Sequence, residues 1–329
     1  MIGIFKQKNP INLLVLLFFG VLIKLPMFFN PYIPESHPGD GFLYSSILEF
    51  LQLYGKNFQL FYPILTFSLI FIQSVALTRI MNSKRMMNSS NYLTGMSYML
   101  ITSLLPEWNY FSAPLLINTA FIYLLSVLFK SYNLQQVRGI IYNAGLAMGV
   151  AIFLFPPAIS FLLWLVMAMM VMRTFRLNEW LICLLGILTP FYFYGVYLFL
   201  SDEWDWMKLV PRFSFGLPAI KQSAWIAGGT FLLTVPFLAG AYFVQTNLRK
   251  MLIQVRKGWS LLLLFLLVSF LVPFISHYPD FDNWVLAAVP LAAFHACSYQ
   301  YFTLRIFPNL LFWLSVIFIL VYQYSGPGW

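Results

Sequence analysis

Hydrophobic positions in this chain come in long runs rather than in alternation. Uninterrupted apolar stretches recur along the whole length, each separated by a few polar residues. A helix that crosses a bilayer needs roughly 17–25 mostly apolar residues. Reading for such runs predicts eleven spans: Ile11–Phe29, Phe58–Thr78, Tyr92–Leu105, Ala113–Phe129, Ile140–Phe155, Ala158–Met172, Glu179–Leu200, Ala224–Val244, Trp259–Ser276, Trp284–Ser298 and Ile306–Tyr324. The fifth and sixth meet at Pro156-Pro157 and read either as two spans or as a re-entrant pair. One segment breaks the pattern. Gly41–Tyr54 interleaves Phe42, Leu43, Ile47, Leu48, Phe50 and Leu51 with Ser45, Ser46, Glu49 and Gln52, which predicts an amphipathic helix on the membrane surface. The fold expected is therefore all-α and polytopic, one transmembrane domain over residues 1–329.

Composition supports this reading and charge orients it. The chain is 61% hydrophobic and only 9% charged, where a soluble domain carries roughly 25% charged residues. The net charge of +9 is scattered through short loops, as orientation signals are, so nucleic acid is not an expected partner. Fourteen of the 19 Lys and Arg residues fall in loops on one side of the predicted spans. The other five, Lys24, Lys56, Lys208, Arg212 and Lys221, fall on the opposite side with every acid except Glu179. Because Lys and Arg resist translocation, the basic side is expected to be cytoplasmic. That places the N-terminus inside, the C-terminus outside, and the carboxylates on the outer face of a bacterial inner membrane. Lys6 and Lys8 precede an apolar run too long for a signal-peptide core, so a retained first helix is expected. Cys183 and Cys297 both lie inside apolar runs and suggest neither a disulfide nor a metal pair.

The acidic loops hold the candidate chemistry. Asp40 stands just before the amphipathic segment, where a carboxylate either caps the helix or acts as a base or cation ligand. Glu107, in Pro106-Glu107-Trp108-Asn109-Tyr110, reads as a second acid or as an interfacial residue beside aromatic rings. Lys208 and Arg212 follow the run Asp202-Glu203-Trp204-Asp205-Trp206, so they either hold a phosphate or are neutralised by those neighbours. His277 lies with Asp280 and Asp282 in a loop of the kind that binds phosphate or metal, although its spacing matches no specific site. Gln73, Asn118, Asn143 and His295, inside spans, are expected to make interhelical hydrogen bonds.

This organisation resembles the GT-C glycosyltransferases, which take sugars from polyprenyl-phosphate carriers outside the inner membrane. The resemblance rests on the first loop, Pro34-Glu35-Ser36-His37-Pro38-Gly39-Asp40-Gly41-Phe42-Leu43-Tyr44, followed at once by an amphipathic helix. It also rests on Pro106-Glu107 after the third span, and on Asn143–Gly149 followed by Pro156-Pro157. It covers about residues 1–200, with additional helices over about 201–329. The chain also resembles an inner-membrane family of Bacteroidota. The GT-C resemblance implies a transferase with Asp40 and Glu107 as catalytic acids and Glu35, His37, Tyr44, Lys208, Arg212 and His277 around the substrate. A divalent cation, held by Asp40 if at all, and a polyprenyl-phosphate lipid would accompany it. The chain departs from the family in having a single Asp40 between glycines and no large outer C-terminal domain. Those departures keep two alternatives open: a non-catalytic scaffold or partner subunit of an envelope complex, and a transporter.

Overall fold

The computed structural model describes residues 1–37, 39–55, 58–211, 214–216, 223–276, 281–302 and 306–325. All regular structure among them is helical. The helices of nine residues or more are α1 (Ile11–Ile23), α2 (Phe42–Gly55), α3 (Phe61–Ser83), α4 (Leu93–Ile101), α5 (Ala113–Ser131) and α6 (Arg138–Leu154). After them come α7 (Phe161–Met172), α8 (Leu177–Leu200), α9 (Ala224–Asn247), α10 (Ile253–Ser269), α11 (Ala288–Tyr301) and α12 (Ile306–Ser325).

Among the described residues, six stretches are long and apolar enough to cross a membrane, which makes this a multi-pass membrane protein. They are α3, α5, α8, α9 with its continuation to Lys250, α10 continued to Ile275, and α12. Helices α1, α6 and α7 are apolar but shorter. Two of the predicted spans turn out differently. The Tyr92–Leu105 run forms only the nine-residue α4, about 13 Å long, against a hydrocarbon core of about 30 Å. The Trp284–Ser298 run divides into a 3₁₀ segment, Phe281–Ala287, and the 14-residue α11. Every residue of α4 is buried, and so is nearly all of α11. Their apolarity reflects an interior position against each other, which a hydropathy run does not distinguish from a lipid-facing one.

Around this interior pair stand α1, α3, α9 and α10, while α8, α9 and α12 keep most of their apolar surface exposed. Polar side chains bind the interior together. Gln73 Nε2 donates to the Leu115 carbonyl and to Thr119 Oγ1, both at 2.8 Å, and Gln73 Oε1 accepts from the Tyr98 hydroxyl at 2.6 Å. Asn118 donates to the Val285 carbonyl at 3.1 Å, and His295 Nε2 lies 2.8 Å from that of Leu233. Three of the four expected polar groups thus link separate elements. Asn143 instead faces outward from α6 and makes no such bond.

Helices α6 and α8 pack in parallel with their backbones in contact. A Cβ at Gly145 would collide with the Cys183 carbonyl oxygen, and one at Gly186 with that of Tyr142. Small residues permit this approach in a membrane, where dispersion contacts replace the hydrophobic effect. Gly145→Ala is expected to destabilise the protein by about 1–3 kcal/mol. Gly139→Ala, where a methyl group meets nothing within 4 Å, should have little effect. Thermal melting of both variants in one detergent checks this; equal melting temperatures would remove the close seam.

Candidate functional site

The acid-bearing loops converge where α6 and α8 end and α5 begins. Gly41 sets the position of the first loop. Its amide donates to the Leu154 carbonyl at the end of α6, 3.2 Å away. A Cβ there would collide with the Phe153 and Leu154 carbonyls, so only glycine allows the contact. The Gly41 carbonyl accepts from Ser45 N–H at 3.0 Å and opens α2. Asp40 therefore precedes the cap rather than forming it. Its Oδ2 turns back to accept from the His37 N–H at 2.8 Å, while the Asp40 N–H donates to the His37 carbonyl at 2.9 Å. The His37 ring nitrogen Nδ1 stands 3.9 Å from the same oxygen. Burial raises the Asp40 carboxyl above its usual range, partly offset by the His37 N–H and then by the charge of His37.

The second loop is a 3₁₀ turn, Pro106–Asn109, carrying a half-buried Glu107. Two long-range bonds hold it. Trp108 Nε1 donates to the Phe281 carbonyl at 2.9 Å, pinning the turn to the loop that carries Asp282. Asn109 Oδ1 accepts from Lys24 Nζ at 2.5 Å, and Lys24 also donates to the Thr102 carbonyl at 3.2 Å. Lys24 is wholly buried, and no described carboxylate pairs with it. Lys24, counted from sequence with the basic residues of the acid-rich side, is thus an interior tie between loops rather than a solvated charge. Asn109→Leu would leave the ammonium with one acceptor, at an expected cost of about 2–3 kcal/mol. Lys24→Met removes the charge itself and should cost less, and the double variant should recover part of the loss. Melting temperatures of the three variants test the pairing, and strict additivity would refute it.

Together these loops enclose a cavity of about 250 Å³. Glu35, His37, Asp40, Tyr44 and Glu107 line it, as do Tyr32, Tyr110, Phe111, Phe281 and Asp282. Five of the eight residues proposed from the sequence therefore meet in one place. Tyr32 and Tyr110 stack with centroids 4.1 Å apart, and burial, then Glu107, push the Tyr110 hydroxyl up to about 12. The Tyr44 hydroxyl donates to the Phe111 carbonyl at 3.0 Å, so its proton is engaged and only its lone pairs remain for a ligand. A smaller space of about 30 Å³ lies between His37, Asp40, Asp282 and Asn283.

Lys208 belongs to a neighbouring groove of about 350 Å³, walled by Phe42, Phe153, Phe191, Tyr194 and Tyr197. Asp40 borders this groove too, so it sits in the wall between an acidic cavity and an aromatic one. Lys208 Nζ pairs with Glu203 Oε2 at 3.0 Å, and that hydrogen bond raises its pKa. Arg212 and His277 lie outside the described residues.

Sequence reasoning did not assign Tyr32 or Tyr110 to the site, and it weighed Asp282 only within the loop of His277. No local pattern places Asp282 beside Asp40, because its loop is brought there by the Trp108–Phe281 bond across 173 positions. Among the described residues, no three His, Cys, Asp or Glu side chains are grouped closely enough to hold a metal ion. A cation on Asp40 would therefore have to draw most of its ligands from substrate or water. No family model, no curated protein and no solved structure matches this chain.

Proposed function

We propose that the chain is a membrane transferase that moves a sugar from a polyprenyl-phosphate donor to a hydroxyl acceptor at the outer face. One observation carries this reading: Asp40 borders both the acidic, tyrosine-lined cavity and the aromatic groove that ends at Lys208. Carboxylates and ring faces suit a sugar, and a groove of five aromatic rings suits an isoprenoid tail. In the proposed step the acceptor oxygen attacks the anomeric carbon as the bond from that carbon to the phosphate oxygen breaks. The acceptor proton passes to Asp40, and polyprenyl phosphate leaves with the electron pair. A raised carboxyl pKa suits a base working near neutrality. Glu107 assists from the opposite loop, and Lys208 contacts the phosphate once it parts from Glu203. Within this reading the shorter apolar helices α1, α6 and α7 join the six long ones in a GT-C-like bundle in the bacterial inner membrane, with the N-terminus cytoplasmic and α2 along the outer surface.

The Lys208–Glu203 pair favours a second reading, a non-catalytic scaffold of an envelope complex, because it leaves the groove mouth already neutralised. Lipid co-purification separates the two. Protein purified in mild detergent is extracted, and its lipids are identified by mass spectrometry, for the wild type and for Lys208→Ala/Arg212→Ala. A polyprenyl phosphate retained by the wild type and lost from the variant supports the transferase. Ordinary phospholipids alone in both would overturn it in favour of the scaffold.

A further inference from the structure

A cavity larger than those beside Asp40 lies at the other ends of α6 and α8, about 24 Å along α6 from the Asp40 loop. It measures about 800 Å³ and is lined by Gln135, Gln136, Arg138, Arg176, Asn178 and Glu179. The transferase reading makes no use of it.

Its charge balance is uneven. Glu179 is the cavity's only acid, and Arg173 already holds it through two bonds: Nη2 to Oε1 at 2.6 Å and Nε to Oε2 at 3.2 Å. Arg176 reaches the same carboxylate only at 4.0 Å and stays largely exposed. Arg138 is exposed and pairs with no described carboxylate. Two guanidinium groups therefore border the space without an acid of their own. Gln135, Gln136 and Asn178 line the same space, as do the first residues of α6 and α8.

The adjoining surface is of the opposite kind. Phe175, Leu177, Leu181, Leu184, Leu185 and Leu188 are all half or more exposed, forming an apolar strip that runs from the cavity along α8. A polar cavity bordered by arginines at the head of such a strip fits a molecule with an anionic head and an acyl tail. Guanidinium forks match phosphate oxygens in pairs, and basic pockets between membrane helices take up phospholipid headgroups.

We infer that this cavity binds the phosphate of an anionic phospholipid, with the headgroup against Arg138 and Arg176 and an acyl chain along α8. The site is independent of the proposed transferase reaction. Because the two arginines are exposed and the Arg173–Glu179 pair stays intact, Arg138→Gln/Arg176→Gln should fold normally.

The test uses the full chain in nanodiscs of phosphatidylcholine containing increasing phosphatidylglycerol, with occupancy read by native mass spectrometry after release. A parallel titration uses inorganic phosphate in detergent, read by thermal shift. The control is Arg249→Gln/Lys250→Gln, which removes the same charge from the exposed turn after α9. Phosphatidylglycerol retention roughly tenfold or more weaker in the arginine variant, with the control near wild type, supports the lipid site. A saturable shift with inorganic phosphate alone, lost in the same variant, keeps the phosphate site but overturns the lipid source. Equal retention by wild type and variant, or an equal fall in the control, overturns the site itself.

Discussion

Asp40→Asn is expected to lower transfer from a lipid-linked sugar donor by about 10²–10⁴-fold, the usual contribution of a positioned general base. Asparagine keeps the side-chain volume, and its Oδ1 can still accept from the His37 N–H, so the loop should stay in place. Stability should not fall. A carboxyl raised above 3.8 by burial binds its proton more tightly in the folded chain than in the unfolded one. Folding free energy is therefore lost as pH rises from the unfolded value through the folded one. Asparagine does not ionise and avoids that loss, so the variant should melt at or above the wild-type temperature near neutral pH. The pH profile supplies a second check. A base that must be ionised loses activity as pH falls through its raised pKa, so the acid limb should lie above the ordinary aspartate range. Labelled-donor assays across pH on both proteins decide the matter. Wild-type turnover by Asp40→Asn would remove Asp40 from the chemistry.

The largest stability change is expected at the opposite end of the bundle. Arg173→Met should destabilise the protein by about 3–5 kcal/mol, because it leaves Glu179 buried without its partner. Arg173 also donates through Nη1 to the Ser131 carbonyl at 3.0 Å and to that of Leu134 at 2.6 Å. One guanidinium therefore joins the end of α5, the end of α7 and the start of α8. Arg173→Lys should recover little of the loss, since an ammonium cannot reproduce the planar fork and both carbonyl bonds together. Adding Glu179→Gln to Arg173→Met should recover part of it by removing the stranded charge. Melting temperatures of the four proteins in the same detergent measure this, and a loss below about 1 kcal/mol would mean the pair is solvated like an ordinary surface bridge.

Both predictions concern residues the sequence had marked, but for reasons it did not contain. Asp40 stands out in sequence as an acid before an amphipathic segment, and helix α2 forms where that segment was expected. The capping role does not follow, because Gly41 approaches the end of α6 and turns the carboxylate back toward His37. Glu179 stands out as the lone acid on the basic side, yet only the folded chain brings Arg173 onto it. Lys24 shows the reverse case. It reads as an outer charge, and packing encloses it completely between Thr102 and Asn109.

What the sequence determined by itself was local: the helical class, the six long apolar helices, the amphipathic helix after the first loop, and the gathering of acids between spans. Each follows from the composition and periodicity of a single contiguous segment, which neighbouring residues alone can set. The tertiary structure decided which apolar runs face lipid and which form the interior, as α4 and α11 do. It also decided which loops share a cavity. Those outcomes depend on contacts between residues far apart in the chain, such as Lys24 with Asn109 and Trp108 with Phe281. Buried polar groups must find partners wherever the packed helices place them, and the local sequence holds no record of that placement.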